Sequence, residues 1–210
     1  MKTLLFFVFS LFLVSCSVQE EEHDQLSILK KGELIMGLLQ EHNVEVDELD
    51  GINLSILDPI DKKRILGEAN LDSIYAMLKF VDIINRTTFK TPSDINYIPL
   101  TRGANELTIR GSAEEEEKRN LELKLGYSSN NLYVLGSNAL ADNFSDWQQK
   151  STKTSSFSSN TAKAGAEGTV EIHGIRVTFY MTGYVNRDDT GLTDGLVEHF
   201  RTGNDYWKDI

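Results

Sequence analysis

Ten residues near the C-terminal end concentrate oxygen donors of the kind that hold a cation: Asn186-Arg187-Asp188-Asp189-Thr190-Gly191-Leu192-Thr193-Asp194-Gly195, with Glu198 just beyond. Carboxylate, amide and hydroxyl oxygens crowded around two glycines suit a hard ion such as calcium. With Gly191 as the sixth position of a calcium loop, Asn186, Asp188, Thr190 and Asp194 fall on oxygen-bearing positions. The twelfth position, where a bidentate glutamate closes such loops, is Val197, and Glu198 comes one place late. The stretch is therefore either a calcium site carried by Asp188, Asp189, Asp194 and Glu198 or a solvated turn. A second acidic segment, Asp47-Glu48-Leu49-Asp50-Gly51, fails the same comparison: Gly51 in sixth place puts Val46 first and Leu57 twelfth, and neither can ligate.

Residue types for catalysis are present without the spacing that catalysis needs. The four histidines, His23, His42, His173 and His199, show no H-x-x-x-H or H-x-H pairing. Ser27-Ile28-Leu29-Lys30 spells the S-x-x-K of serine acylases, but the S-D-N and K-T-G elements that complete that site are missing. No nucleophile elbow, phosphate loop or dinucleotide fingerprint occurs. Glu114-Glu115-Glu116-Glu117, followed by Lys118-Arg119, reads as a solvated turn.

The single cysteine is placed differently. Lys2 gives a positive start, Leu4–Val14 is an almost unbroken apolar run, and the run ends at Leu13-Val14-Ser15-Cys16. That is the layout of a secretory signal, and the run falls short of the roughly 20 apolar residues that a permanent span needs. Leu13–Cys16 resembles the lipobox of bacterial lipoproteins. The resemblance covers only Met1 to about Asp24. It implies that residues 1–15 are removed, that Cys16 carries a diacylglycerol thioether, and that a further acyl chain on the new amino terminus makes the anchor durable. It also resolves the awkwardness of an unpaired thiol in an exported chain. Ser17 rather than Asp after the cysteine points, by the same resemblance, to the outer membrane; periplasmic face and cell surface both stay open. Residues 16–24, with Gln19-Glu20-Glu21-Glu22-His23-Asp24, read as an acidic solvated tether.

Charge narrows the partners. The formal charge is −11, and loss of Lys2 with the leader makes it −12. Nucleic acid is excluded as a natural partner, because its phosphates are bound through displacement of counterions by Lys and Arg. The lipid does the membrane work, and a protein or other envelope component is the expected partner. Three functions are compatible with this: a non-catalytic envelope binding or assembly module, a periplasmic immunity or exclusion factor, and an envelope hydrolase. The absence of catalytic spacing favours the first.

The expected fold is α+β in one domain spanning 25–210: a helical part at 25–90 packed on an antiparallel sheet of about five strands within 105–210. A helix runs from Asp24 to Asn43, with Leu26, Leu29, Ile35, Leu38 and Leu39 near one face and Gly32 and Gly37 as weak points. Val44–Leu57 is an acidic connector. Asp58-Pro59-Ile60-Asp61 is a helix start, carrying Ile60, Ile65 and Leu66 inward. The stripe Leu71, Ile74, Tyr75, Leu78, Val81 and Ile84 predicts a helix to about Thr87, with Tyr75 and Met77 as core. Thr91–Gly103 is a linker. Strands follow at 106–110, 121–127 and 132–135, the last expected to be central because its apolar run is continuous. Asp142–Trp147 is compatible with a helical turn, and Lys150–Gly168, rich in Ser, Thr, Ala and Gly, with a long mobile loop. Thr169–Val185 is the strongest strand signal, broken at His173-Gly174 by a turn or bulge. A polar loop at 186–195 and an apolar tail docked as helix or strand complete the chain.

Overall fold

The computed structural model describes residues 25–91, 105–113, 119–141 and 145–210. The leader, Cys16 and the tether lie outside these residues, as do most of the Thr91–Gly103 linker and Glu114–Lys118.

Three helices come first, and the cap expected at Asp58 is found. Helix α1 spans 25–41. Helix α2 (Pro59–Glu68) opens on Asp58, whose carboxylate accepts from the backbone N–H groups of Ile60 and Asp61, both at 2.9 Å. Helix α3 (Leu71–Arg86) is capped by Asn70 and buries Ile74, Met77, Leu78, Phe80, Val81 and Ile84. Ile60 and Tyr75 depart from expectation, at 69% and 53% exposed. Ile60 lies in the first turn of α2, before the helix reaches the core at Leu66.

Helices α1 and α2 cross at two glycines. A Cβ on Gly32 of α1 would stand 1.8 Å from the Lys63 carbonyl oxygen, and one on Gly67 of α2 would stand 2.1 Å from the Ile28 carbonyl oxygen. Gly32 is thus a contact requirement rather than a defect. Gly37, by contrast, faces open space. Lys31 closes the crossing by donating to the Ala69 carbonyl at the end of α2, 2.8 Å away.

The remaining chain, with a short excursion in the helical part, makes one nine-stranded sheet. The excursion is β1 (Val46–Leu49) and β2 (Ile52–Asn53), within what reads from sequence as a connector. Strands β3 (Glu106–Ala113), β4 (Arg119–Ser128) and β5 (Asn131–Ala141) form a meander. Strands β6 (Ser145–Thr154), β7 (Thr161–Ile172), β8 (Ile175–Asp188) and β9 (Gly191–Arg201) form a second, and α4 (Asp205–Lys208) ends the chain. A parallel bridge, Arg110 to Leu196, joins the two meanders, so the sheet is mixed rather than purely antiparallel. The α+β class stands, and the strand number exceeds the expected five.

β8 is the spine. One of its edges pairs with β7 from Ile172–Ile175 to Thr161–Asn186. The other pairs first with β1 (Val46–Val177, Leu49–Ile175) and then with β9, from Tyr180–Arg201 to Asp188–Gly191. The break at His173-Gly174 is a tight turn: both residues have positive φ, 52° and 77°, as a two-residue hairpin requires.

The segment Lys150–Gly168 is not a loop. It supplies the end of β6 and most of β7, and Ala162, Ala164 and Ala166 are buried on alternate positions. The 186–195 stretch is likewise the β8–β9 hairpin, and 145–147 begins β6; residues 142–144 lie outside the described set. β5 is terminal in strand order rather than central, with Tyr133 and Leu135 exposed. The sheet curls until β5 faces β6. No ladder joins them among the described residues; instead Trp147 Nε1 donates to Ser137 Oγ at 2.9 Å and Ser137 Oγ to Gln149 Oε1 at 2.7 Å.

Leu121, Leu123 and Leu125 share one buried apolar cluster with Phe179, Met181 and Phe200, and Phe179 and Phe200 are stacked at 4.7 Å. The same apolar cluster continues into Ile35, Leu39 and Leu66 and the buried face of α3. Replacing Gly32 or Gly67 by Ala is expected to lower stability by about 1–3 kcal/mol, the usual cost of forcing extra atoms into a filled contact. Gly37→Ala is expected to raise it by about 0.5–1 kcal/mol through helix propensity. Urea unfolding midpoints of the three variants check the opposite signs.

Candidate functional site

The sharpest polar feature of the structure is a buried carboxylate. Asp47 lies in β1 between the buried Val46 and half-buried Glu48, and its own residue is 8% exposed. A charge so placed must be compensated. Thr178 of β8 donates its hydroxyl to Asp47 Oδ2 at 2.7 Å, and Lys150 of β6 donates its ammonium to Oδ1 at 2.6 Å. On the same side of β8, Tyr180 packs against Trp207 of α4 with ring centroids 5.6 Å apart. Burial, then the nearby charges of Glu167, Glu45 and Asp47, push the Tyr180 phenol up to about 12. At any physiological pH it keeps its proton, which makes it a hydrogen-bond donor and not a base.

Two concavities open beside this cluster. The larger, about 620 Å³, lies between α1, α2 and the start of β1. Leu39, Val44, Val46 and Leu66 give it an apolar floor, and Glu33, Gln40, Glu45, Lys62 and Lys63 a polar rim. Gly37 is on this face, where the missing side chain leaves room. The smaller, about 310 Å³, shares Gln40, Val44 and Glu45 with the first and is otherwise polar, with Asn43, Tyr180, Asn204, Asp205 and Lys208 around it. An apolar trough thus runs into a polar hollow. Such a pairing provides contact area at one end and hydrogen-bond selectivity at the other, the division of labour usual in binding sites.

The residues singled out for chemistry lie elsewhere. Asp188 accepts from the Thr190 backbone N–H at 2.7 Å, an Asx turn at the tip of the β8–β9 hairpin where Asp189 also sits. Asp194 lies opposite Asn186 on the hairpin and accepts from its side-chain amide. Glu198 is four residues further along β9, about 13 Å at strand rise. The hairpin spreads these oxygens over the end of β8, the turn and β9, and among the described residues no three His, Cys, Asp or Glu side chains come together as a cation-holding group. Cys16 and His23 lie outside the described residues. His173 is in the β7–β8 turn, and His42 pairs with Asp82 of α3 at 2.9 Å.

His199 packs under Tyr206, ring centroids 4.1 Å apart, and its Nδ1 is buried without a hydrogen-bond partner among the described residues. Burial, then Arg201, lowers its pKa. Sequence spacing does not reveal the groove, because its lining comes from three elements, α1, α2 and the start of β1, that are brought together by the Gly32–Gly67 crossing and by the placement of β1. Its one local trace is the apolar pair Val44 and Val46 set among acids. No protein-family model, curated protein or solved structure matches the chain.

Two outcomes follow. Lys150→Met leaves the Asp47 carboxylate with Thr178 alone and is expected to cost about 1–3 kcal/mol. Adding Asp47→Asn should return part of that loss, and a double-mutant cycle by denaturant unfolding measures the coupling. The second concerns pH. The depressed His199 means that the unfolded chain binds more protons than the folded one below about pH 6.5, so its contribution to stability is present above that pH and is lost as pH falls towards the folded value. His199→Phe should flatten the stability profile in this window; an unchanged slope would contradict the assignment.

Proposed function

We propose that the protein is a lipid-anchored binding module of the bacterial envelope, held at the outer membrane through Cys16 and acting without catalysis. The observation that carries the binding half is the apolar trough joined to the polar hollow at Gln40, Val44 and Glu45. The groups that meet there recognise and orient. Tyr180, on the wall of the polar hollow, is kept protonated by burial and by surrounding carboxylates. The anchoring half is supported by the charged and apolar leader that ends at the chain's single cysteine, with the acidic segment after it. No described helix is long and apolar enough to cross a membrane, so a lipid on Cys16 is the attachment that this reading uses.

Protease treatment of intact cells tests the placement, with Cys16→Ala alongside. Wild-type chain should remain with the outer-membrane fraction and the variant should be released to the soluble fraction. Degradation of wild type on intact cells assigns the outer surface; protection until the outer membrane is opened assigns the periplasmic face. Retention of Cys16→Ala in the membrane would contradict the reading.

A further inference from the structure

We infer that the polar hollow beside α4 is the site of an uncharged polyhydroxylated ligand, a saccharide, held by the Tyr180 hydroxyl and by the carboxylate and amide side chains around it. This rests on the binding-module reading above and supplies the chemical class of its ligand. Tyr180 lines the hollow and is only 9% exposed, yet its hydroxyl makes no hydrogen bond among the described residues. A phenol so deeply placed ordinarily finds a partner within the protein. Unlike His199 Nδ1 and Arg201 Nε, which are buried and unpaired, this oxygen keeps access to solvent. Trp207, packed on the ring at 5.6 Å, fixes the phenol in place, so the donor is set before a ligand arrives.

The other walls set the remaining requirements. Gln40, Asn43, Glu45 and Asn204 make no side-chain hydrogen bond among the described residues, and Asp205 is paired only with Lys208, 3.5 Å away. A ligand must therefore accept from the phenol and also donate to Glu45 and Asp205. An anion would meet the same field of Glu167, Glu45 and Asp47 that disfavours a phenolate at Tyr180. An ammonium group or a metal ion cannot accept. Hydroxyl groups do both, and an amide or a carboxylate can engage two of them at once. A peptide main chain also carries donors and acceptors, but it is read most readily at an open strand edge. At Tyr180 both edges of β8 are closed, by Glu167 of β7 and by Arg201 of β9. The volume of about 310 Å³ is at the lower end for small-ligand sites, which suits a compact ring rather than an extended chain.

The test uses the full lipidated chain in phosphatidylcholine nanodiscs, with empty nanodiscs as the blank. These are applied to printed neutral and acidic oligosaccharides of hexose and N-acetylhexosamine units, and to printed peptides. Retention on neutral oligosaccharides is expected. Calorimetry with the strongest neutral binder should give a Kd about 3- to 10-fold weaker for Tyr180→Phe, the usual worth of one hydrogen bond. Tyr206→Phe, at an exposed tyrosine of α4 outside the hollow, should bind like wild type. The Tyr180 hydroxyl holds nothing within the described protein, so Tyr180→Phe should also keep the wild-type urea midpoint. A fall in that midpoint would give the phenol a structural role and overturn the inference. Equal affinities of Tyr180→Phe and wild type would overturn it too, as would a preference for acidic oligosaccharides. If peptides are retained and saccharides are not, the saccharide assignment fails while the binding reading stands. If neither is retained, the binding reading fails with it.

Discussion

Asp47 shares its carboxylate between the Thr178 hydroxyl and the Lys150 ammonium, and this one buried charge fixes how three distant parts of the chain meet. Register in a strand is ordinarily set by apolar alternation, and a slip of one residue exchanges the two faces. In β1 the apolar signal is only Val46 and Leu49, so the charge adds a condition that the alternation lacks. A slip would carry the carboxylate to the side of β8 where Val177 and Phe179 are buried, a loss that no rearrangement of Lys150 could offset. The pairing of β1 with β8 and the position of β6 across β7 are therefore specified together. Because β1 lies between α1 and α2, the same contact also sets where the helices stand on the sheet.

The groove is a consequence of that placement and of the Gly32–Gly67 crossing. The two glycines let α1 and α2 approach backbone to backbone at one end. Beyond the crossing, Gly37 leaves the α1 surface low while Val44 and Val46 lie beneath it. A close contact at one end and a gap at the other come from the same helix pair, with α1 tied down at its far end by His42 and Asp82. The polar hollow is added by α4, whose Trp207 packs against Tyr180 and confines the phenol.

Helices were the most legible elements, since α1, α2 and α3 carry both an amphipathic period and, for the last two, a side-chain cap. The β7–β8 hairpin was legible because His173-Gly174 interrupts a clean alternation. Lys150–Gly168 was not, because its buried row is alanine. The contrast between Ala162, Ala164, Ala166 and their neighbours Thr161, Lys163 and Gly165 is too small to mark a strand by hydropathy, although the crowded interior there needs small side chains. β5 misled in the opposite way: Leu132 is buried while Tyr133 and Leu135 are exposed, so a run that reads as two buried faces is one buried face and an apolar outer one. The acids at 188–198 were visible as a cluster only along the sequence, since an extended hairpin separates what a loop would gather. The Asp47 site was hidden because its partners are 131 and 103 residues away.

The proposed placement in the envelope depends on a lipid at Cys16. The most direct measurement is the mass of the N-terminal peptide released by proteolysis from membrane-extracted protein. A peptide that begins at Cys16 and carries glyceryl-linked and amide-linked fatty acyl chains is expected. A peptide that begins elsewhere, or begins at Cys16 with an unmodified thiol, would contradict it.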